Sequence, residues 1–113
     1  MKGVNFLDIS VLRKAVLEER YEVSHHAEQE RRNDNLLIED IERVILTGEI
    51  IEPYPDDPRG PSCLICGNAI SGRPVHIVVG LLPAGWCRII TVYVPNPDYW
   101  EDDWKTRKRR ANR

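Results

Sequence analysis

The runs Val75-His76-Ile77-Val78-Val79-Gly80-Leu81 and Trp86-Cys87-Arg88-Ile89-Ile90-Thr91-Val92-Tyr93-Val94 flank Leu82-Pro83-Ala84-Gly85. Two β-branched runs around a Pro and Gly turn predict an antiparallel hairpin. Both are so nearly continuous in apolar residues that little polar face is left, so both sides of the sheet are expected to be covered, with helices lying on it. Upstream, Glu49 to Tyr54 and Ser62 to Gly67 read as two more strands. The stretch from Pro55 to Pro61 is a rigid loop between them, and Asn68 to Gly72 is a second hairpin connection. Before Gly48 the period changes to that of helices. Ile9, Leu12 and Val16 follow the N-cap candidate Asp8, predicting a helix to about Arg20 with Leu7 as a hydrophobic staple. Ser24 caps a polar helix from His25 to about Asn33, and Ile38, Ile41, Val44 and Ile45 form an apolar stripe that stops at Gly48. The expected fold is α+β: three N-terminal helices packed on a four-stranded antiparallel sheet.

At 113 residues and 13.1 kDa this is one domain, residues 1–104, followed by a basic C-terminal tail, residues 105–113. With 42% hydrophobic and 30% charged residues the composition fits a globular protein and neither a fibrous repeat nor a disordered chain. No apolar run is long enough to span a bilayer, and Met1-Lys2-Gly3-Val4-Asn5 lacks the apolar stretch of a signal peptide, so a cytoplasmic location is expected. Three cysteines are too few and odd in number for a disulfide framework. The net charge of −2 hides a polarity: Lys105, Arg107, Lys108, Arg109, Arg110 and Arg113 give the tail +6, leaving −8 on the rest. Such a basic run can neutralise phosphates, or can simply be solvated.

The densest polar constellation is His26, Glu30 and Asp34, at i, i+4 and i+8 on one helix face. A carboxylate beside an imidazole orients it and suits it to acid or base work near neutral pH, whereas the plain alternative is a solvated face with charge pairing. His76 stands in an apolar strand, where a hydrogen-bonded core role competes with a catalytic one. If Pro83-Ala84-Gly85 is a three-residue loop, Leu82 pairs with Trp86 and His76 with Val92, leaving Tyr93 on the other face. One bulge would put His76 and Tyr93 on the same face, where imidazole, phenol and a nearby Arg share a site. Cys63 and Cys66 have the spacing of half a zinc site that Cys87 and His76 could complete, yet i and i+3 on a strand point apart, so buried thiols and no metal are expected. Arg59, Arg73 and Arg88 are the only Lys or Arg residues between Gly48 and Trp104. With Arg107 and its neighbours they could hold a phosphodiester. Trp86, Trp100 and Trp104 can stack bases or pin the tail to the core.

The elements Tyr21-Glu-Val-Ser-His-His-Ala27, Ile38-Glu-Asp-Ile41, Leu46 to Asp57, Cys63-Leu-Ile-Cys-Gly67, Arg73-Pro-Val-His76 and Ile89-Ile-Thr-Val-Tyr93 come in an order and spacing that resembles the domain-of-unknown-function family numbered 4258. The layout is similar to the RelE/ParE and BrnT ribonuclease toxins, which commonly sit beside an antitoxin gene. The resemblance implies cofactor-free, metal-independent RNA cleavage: a base takes the ribose 2′-OH proton, arginines stabilise the phosphorane and an acid protonates the leaving 5′-oxygen. His26, which matches the family's Ser/Thr-x-His-Ala element, is the implied base or acid, with His76 and Tyr93 as partners and Arg59 at the transition state. Arg73, Arg88, Arg107, Lys108, Arg109 and Arg110 are the implied RNA contacts. The chain departs from the resemblance at Glu30 and Asp34, where many members carry Arg. RNA, an antitoxin protein and a second copy of the chain are the partners this reading allows. A non-catalytic protein- or nucleic-acid-binding module is the alternative.

Overall fold

The computed structural model describes residues 7–109. Leu12, Ala15 and Val16 are the buried stripe of helix α1 (Ile9–Leu17), whose first turn is capped by the Asp8 carboxylate accepting from the Ser10 N–H at 2.9 Å. The helix ends three residues short of the predicted Arg20. Glu19 takes the left-handed conformation, φ 57°, so that the Glu19 and Arg20 N–H groups donate back to the Val16 and Ala15 carbonyls. This Schellman closure turns the chain into strand β1 (Tyr21–Val23).

β1 corrects the expected four-stranded antiparallel sheet. It has three residues, too few to show alternation in sequence, and it pairs in parallel with strand β5 (Cys87–Tyr93), Tyr21 opposite Cys87 and Val23 opposite Ile89. Helices α2 (His25–Asn33) and α3 (Ile38–Thr47) follow, then strands β2 (Glu49–Tyr54), β3 (Ser62–Asn68) and β4 (Pro74–Leu81). The result is a five-stranded mixed sheet of order β1-β5-β4-β3-β2, with β2 to β5 as an antiparallel meander. The β4–β5 loop is the three-residue turn Pro83–Gly85, with Leu82 N–H donating to the Trp86 carbonyl.

The register between β4 and β5 contains the bulge. Val78 faces Thr91 and Val79 faces Ile89, so Ile90 is the extra residue and His76 comes opposite Tyr93. Its physical cause lies in the apolar pattern of β5. Cys87, Ile89 and Val92 all belong to the core, and spacings of two and then three residues reach one face only if one residue is inserted.

That core lies between the helices and one sheet face. Leu12, Val16, Ala27, Ile41 and Ile45 meet Cys63, Ile65, Ile77, Ile89 and Val92. The opposite face carries no helix. Leu64, Cys66 and His76 are nonetheless buried there, because residues 96–108 fold back as a hairpin over part of it, joined by a Trp100–Arg107 bridge and a Lys108 N–H to Tyr99 carbonyl bond. The chain therefore does not leave the domain at Trp104, and Arg110 lies outside the described residues.

Candidate functional site

Helix α2 runs along the edge of β5 beyond the end of β1. Its cap, Ser24, accepts from the Ala27 N–H and donates from its hydroxyl to the Ile90 carbonyl, both at 3.0 Å. Further along, Glu30 Oε1 accepts from the Val92 N–H at 2.9 Å and Asp34 Oδ2 from the Val94 N–H at 3.3 Å. The two carboxylates of the i, i+4, i+8 stripe thus satisfy the backbone donors that β1 is too short to reach. Glu30 has a second role: its Oε2 lies 3.3 Å from Nε2 of His26, whose side chain is 68% exposed.

His26 borders a cleft of about 410 Å³ on the helix-free face, lined also by Arg59, Gly80, Leu82, Arg88, Ile90 and Thr91. Arg59 comes from the β2–β3 loop and is held by Asp57 at 3.2 Å through Nε. The Arg59 backbone N–H, the Arg59 guanidinium and the Ser62 hydroxyl together lower the Asp57 carboxyl to about 2. Arg88 pairs with Glu22, its neighbour across the parallel β1–β5 register, at 2.6 Å. Both guanidiniums face solvent, with side chains 75% and 50% exposed. An exposed imidazole backed by a carboxylate, with two cations in the same concavity, can bind an anion and move a proton beside it.

His76 belongs to a different grouping, fully buried under the C-terminal hairpin. Its Nε2 is 2.6 Å from the Trp104 carbonyl and its Nδ1 is 3.1 Å from the Tyr93 hydroxyl. A carbonyl can only accept, so the neutral ring carries its proton on Nε2 and Nδ1 accepts from Tyr93. Trp100 packs edge-on to the ring at 4.5 Å between centroids and is itself stacked under Arg107, 4.7 Å away. Arg107 grips Glu52 through Nε at 2.6 Å and Nη2 at 2.9 Å, and the Tyr54 hydroxyl donates to Glu52 Oε1 at 2.6 Å. Burial pushes the His76 pKa down and the Tyr93 pKa up, both away from the exchange of a proton with a substrate. Every polar atom of the imidazole is engaged and the ring is closed off from solvent, so this grouping pins the hairpin.

The structure thus brings His76, Tyr93 and Arg107 together, and His26, Arg59 and Arg88 together, as two separate sets. Arg73 joins neither: its guanidinium donates to the Asp34 and Asn35 carbonyls at 2.9 and 3.1 Å, closing the C-terminus of α2. Lys108 and Arg109 are exposed. Cys63 and Cys87 lie in the core on the helix side and Cys66 on the other face, so Cys63 and Cys66 cannot share an ion. Among the described residues no three His, Cys, Asp or Glu side chains converge as a metal set. Nor is any helix among them long and apolar enough to cross a membrane. Sequence reasoning missed Glu52 and Trp100 as the neighbours of His76. The only hint of the first was an acidic residue, Glu52, between Ile51 and Pro53 in β2.

The model of the family described as a domain of unknown function, DUF4258, matches residues 23–94. The chain belongs to the DUF4258 family. All the lining residues of the His26 cleft fall inside the DUF4258 segment, whereas Trp100, Trp104 and Arg107 lie after it. No curated protein and no solved structure shows a significant match.

Proposed function

We propose that this DUF4258 protein is a metal-independent RNA endonuclease, the toxin of a toxin–antitoxin pair, with its reactive centre in the His26 cleft. The observation that carries the reading is the solvent-open His26, with the Glu30 carboxylate at Nε2 and Arg59 and Arg88 lining the same cleft. The reaction class is taken from the resemblance of the sequence layout to that of the RelE/ParE and BrnT ribonuclease toxins. In this reading the neutral imidazole takes the ribose 2′-OH proton and Glu30 stabilises the imidazolium that forms. The 2′-oxygen attacks phosphorus while Arg59 and Arg88 face the non-bridging oxygens. The 5′-oxygen leaves with a proton from water at the open mouth, giving a 2′,3′-cyclic phosphate and a free 5′-hydroxyl. His76 and Tyr93 hold the hairpin and do not touch substrate. Lys108, Arg109 and Arg110 add phosphate contacts. The acidic half, with seven basic and fourteen acidic residues in 1–57, offers a surface to a basic antitoxin.

The test is induction of the intact chain and of His26→Ala and Arg59→Ala in bacteria, with growth and total RNA integrity read together. Growth arrest with fragmented RNA, relieved by either substitution, supports the reading. Arrest and fragmentation unchanged in both variants would move the chemistry out of this cleft. A second reading, a non-catalytic binding module, is favoured by one specific feature: Arg59 and Arg88 are each already paired, with Asp57 and Glu22. It predicts normal growth, intact RNA and a partner complex that survives both substitutions.

A further inference from the structure

The C-terminal hairpin is bonded within itself and docked on the sheet by side chains. Its main-chain bonds run from the Tyr99 N–H to Asn96, from Glu101 to Thr106, from Trp104 to Glu101 and from Lys108 to Tyr99. Among the described residues no main-chain pair joins 96–108 to the rest of the domain. The Trp104 carbonyl instead accepts from Nε2 of His76 at 2.6 Å and from the Cys66 thiol at 3.5 Å. Lys105 and Arg107 pair with Glu49 and Glu52, and Trp100 lies edge-on to His76. The two sides of this contact also divide along the chain. Glu49, Glu52, Cys66 and His76 lie inside the DUF4258 segment, whereas the hairpin follows it. The hairpin is thus attached to the sheet in the way a separate chain would be.

What reverses the chain onto the sheet is the turn Asn96–Tyr99, exposed at all four residues. Opening it gives up the Tyr99 N–H bond to the Asn96 carbonyl and the Asp98 N–H bond to Asn96 Oδ1, and water can take the place of both. Pro97 has no N–H to lose and turns Asn96 toward extended backbone. The face left bare is specific in what it accepts. Two donors, on His76 and Cys66, converge on one carbonyl, two carboxylates of β2 await cations, and the space beside His76 fits an indole. The hairpin of a second copy carries all of these at the right spacing, and its cations meet acids of β2 in either copy. We infer that the chain dimerises by exchanging this hairpin, each copy seating its own on the helix-free face of the other. Mutual exchange closes as a two-fold dimer, and His76 is then completed across the interface by the second copy. The inference stands apart from the reaction proposed for the His26 cleft.

In the intact chain a short tether gives the hairpin an effective concentration of about a millimolar at its own face, so exchange is brought out by shortening the turn. The test deletes Pro97 and Asp98 from the full chain and reads sedimentation together with the reaction of Cys66 with dithionitrobenzoate. The shortened chain should be a dimer at micromolar concentration, with Cys66 as slow as in wild type. Adding Trp100→Ala to it should return a monomer whose Cys66 reacts about tenfold or more faster. Wild type should show a dimer fraction that rises toward about a millimolar and falls with added salt, since ion pairs hold the hairpin. A shortened chain that is monomeric with a fast Cys66 overturns the inference, and so does a dimer that survives Trp100→Ala. Should the shortened chain not fold, or stay monomeric with a slow Cys66, a second measurement decides. The full chain carrying Trp100→Ala and Arg107→Glu is mixed with a synthetic peptide of residues 96–109. The peptide should slow Cys66 about tenfold, and an unaltered rate at millimolar peptide overturns the inference.

Discussion

The His76 imidazole is held neutral by burial, which outweighs the pull of the Trp104 carbonyl toward the protonated form, and this makes it a measurable contributor to stability. An unfolded histidine titrates near 6.5, and burial holds the folded one lower. Below about pH 6.5 the unfolded chain therefore takes up a proton that the folded chain refuses. The stabilisation is whole above that pH and falls by up to about 1.4 kcal/mol per pH unit until the folded pKa is reached. Urea unfolding at pH 7.5 and 5.5 should show this loss, and His76→Gln should show much less of it; an equal loss in the variant would place the effect on other groups. His76→Ala should cost about 3 kcal/mol at neutral pH, since it leaves a cavity and strands the Tyr93 hydroxyl and Trp104 carbonyl without partners. Whether His76 and Tyr93 share a face was undetermined by residue types alone. The information was present in the spacing of Cys87, Ile89 and Val92, which demands one inserted residue, but it becomes compelling only once all three are known to face the helices. His26 was legible as an exposed helical imidazole with Glu30 at its side. Its company in the cleft was not, because Arg59 and Arg88 arrive from a loop and a distant strand.

Elements in this fold are joined by side chains that finish one another's backbone hydrogen bonding. Glu30 closes the Val92 N–H, so Glu30→Ala should cost about 1–2 kcal/mol and speed amide exchange at Val92. Glu30→Gln keeps an acceptor for that N–H and should preserve the slow exchange. An arginine at Glu30 or Asp34 could not replace either carboxylate, since it cannot accept from the β5 edge. Asp40 works in the same way, accepting from Leu37 N–H at the start of α3 and from Ile70 N–H in the β3–β4 turn. Gly48 ends helix α3, yet its φ of −86° needs no glycine. The requirement is steric: a Cβ would run into the Cys66 and Val44 carbonyl oxygens, where α3 meets β3. Gly48→Ala should therefore lower stability by about 1–3 kcal/mol, read as a fall in Tm, and a neutral substitution would show that α3 can shift off the sheet. Long periodic elements such as α3 were plain in the sequence. β1 was not, since a three-residue parallel strand is specified by the edge it meets and by nothing in its own pattern.

Over the whole molecule, the charge polarity of the chain is partly consumed within the fold. Lys105 pairs with Glu49 at 2.6 Å and Arg107 with Glu52, so two cations of the basic segment sit on two acids of β2. The sequence shows the excess of each sign at each end but not that the ends meet, because the contact spans more than fifty residues. The hairpin they hold divides the helix-free face, one part open at the His26 cleft and the other sealed over Cys66 and His76. Trp100, 4% exposed, is the apolar anchor of the sealed part, and its ring touches both His76 and Arg107. Cys66 reports on this seal, since its thiol lies 3.5 Å from the Trp104 carbonyl and burial raises its pKa. Cys63 and Cys87 stay beneath the helices whatever the hairpin does, with pKa values raised to about 12 and about 11. Trp100→Ala should let the hairpin lift while the core remains folded, so one thiol per chain should react with dithionitrobenzoate about tenfold or more faster than in wild type. Adding Cys66→Ala to that variant should abolish the fast phase. Three thiols reacting together would mean that the hairpin and the core unfold as one unit, and an unchanged rate would mean that Glu52 and His76 hold the hairpin without Trp100.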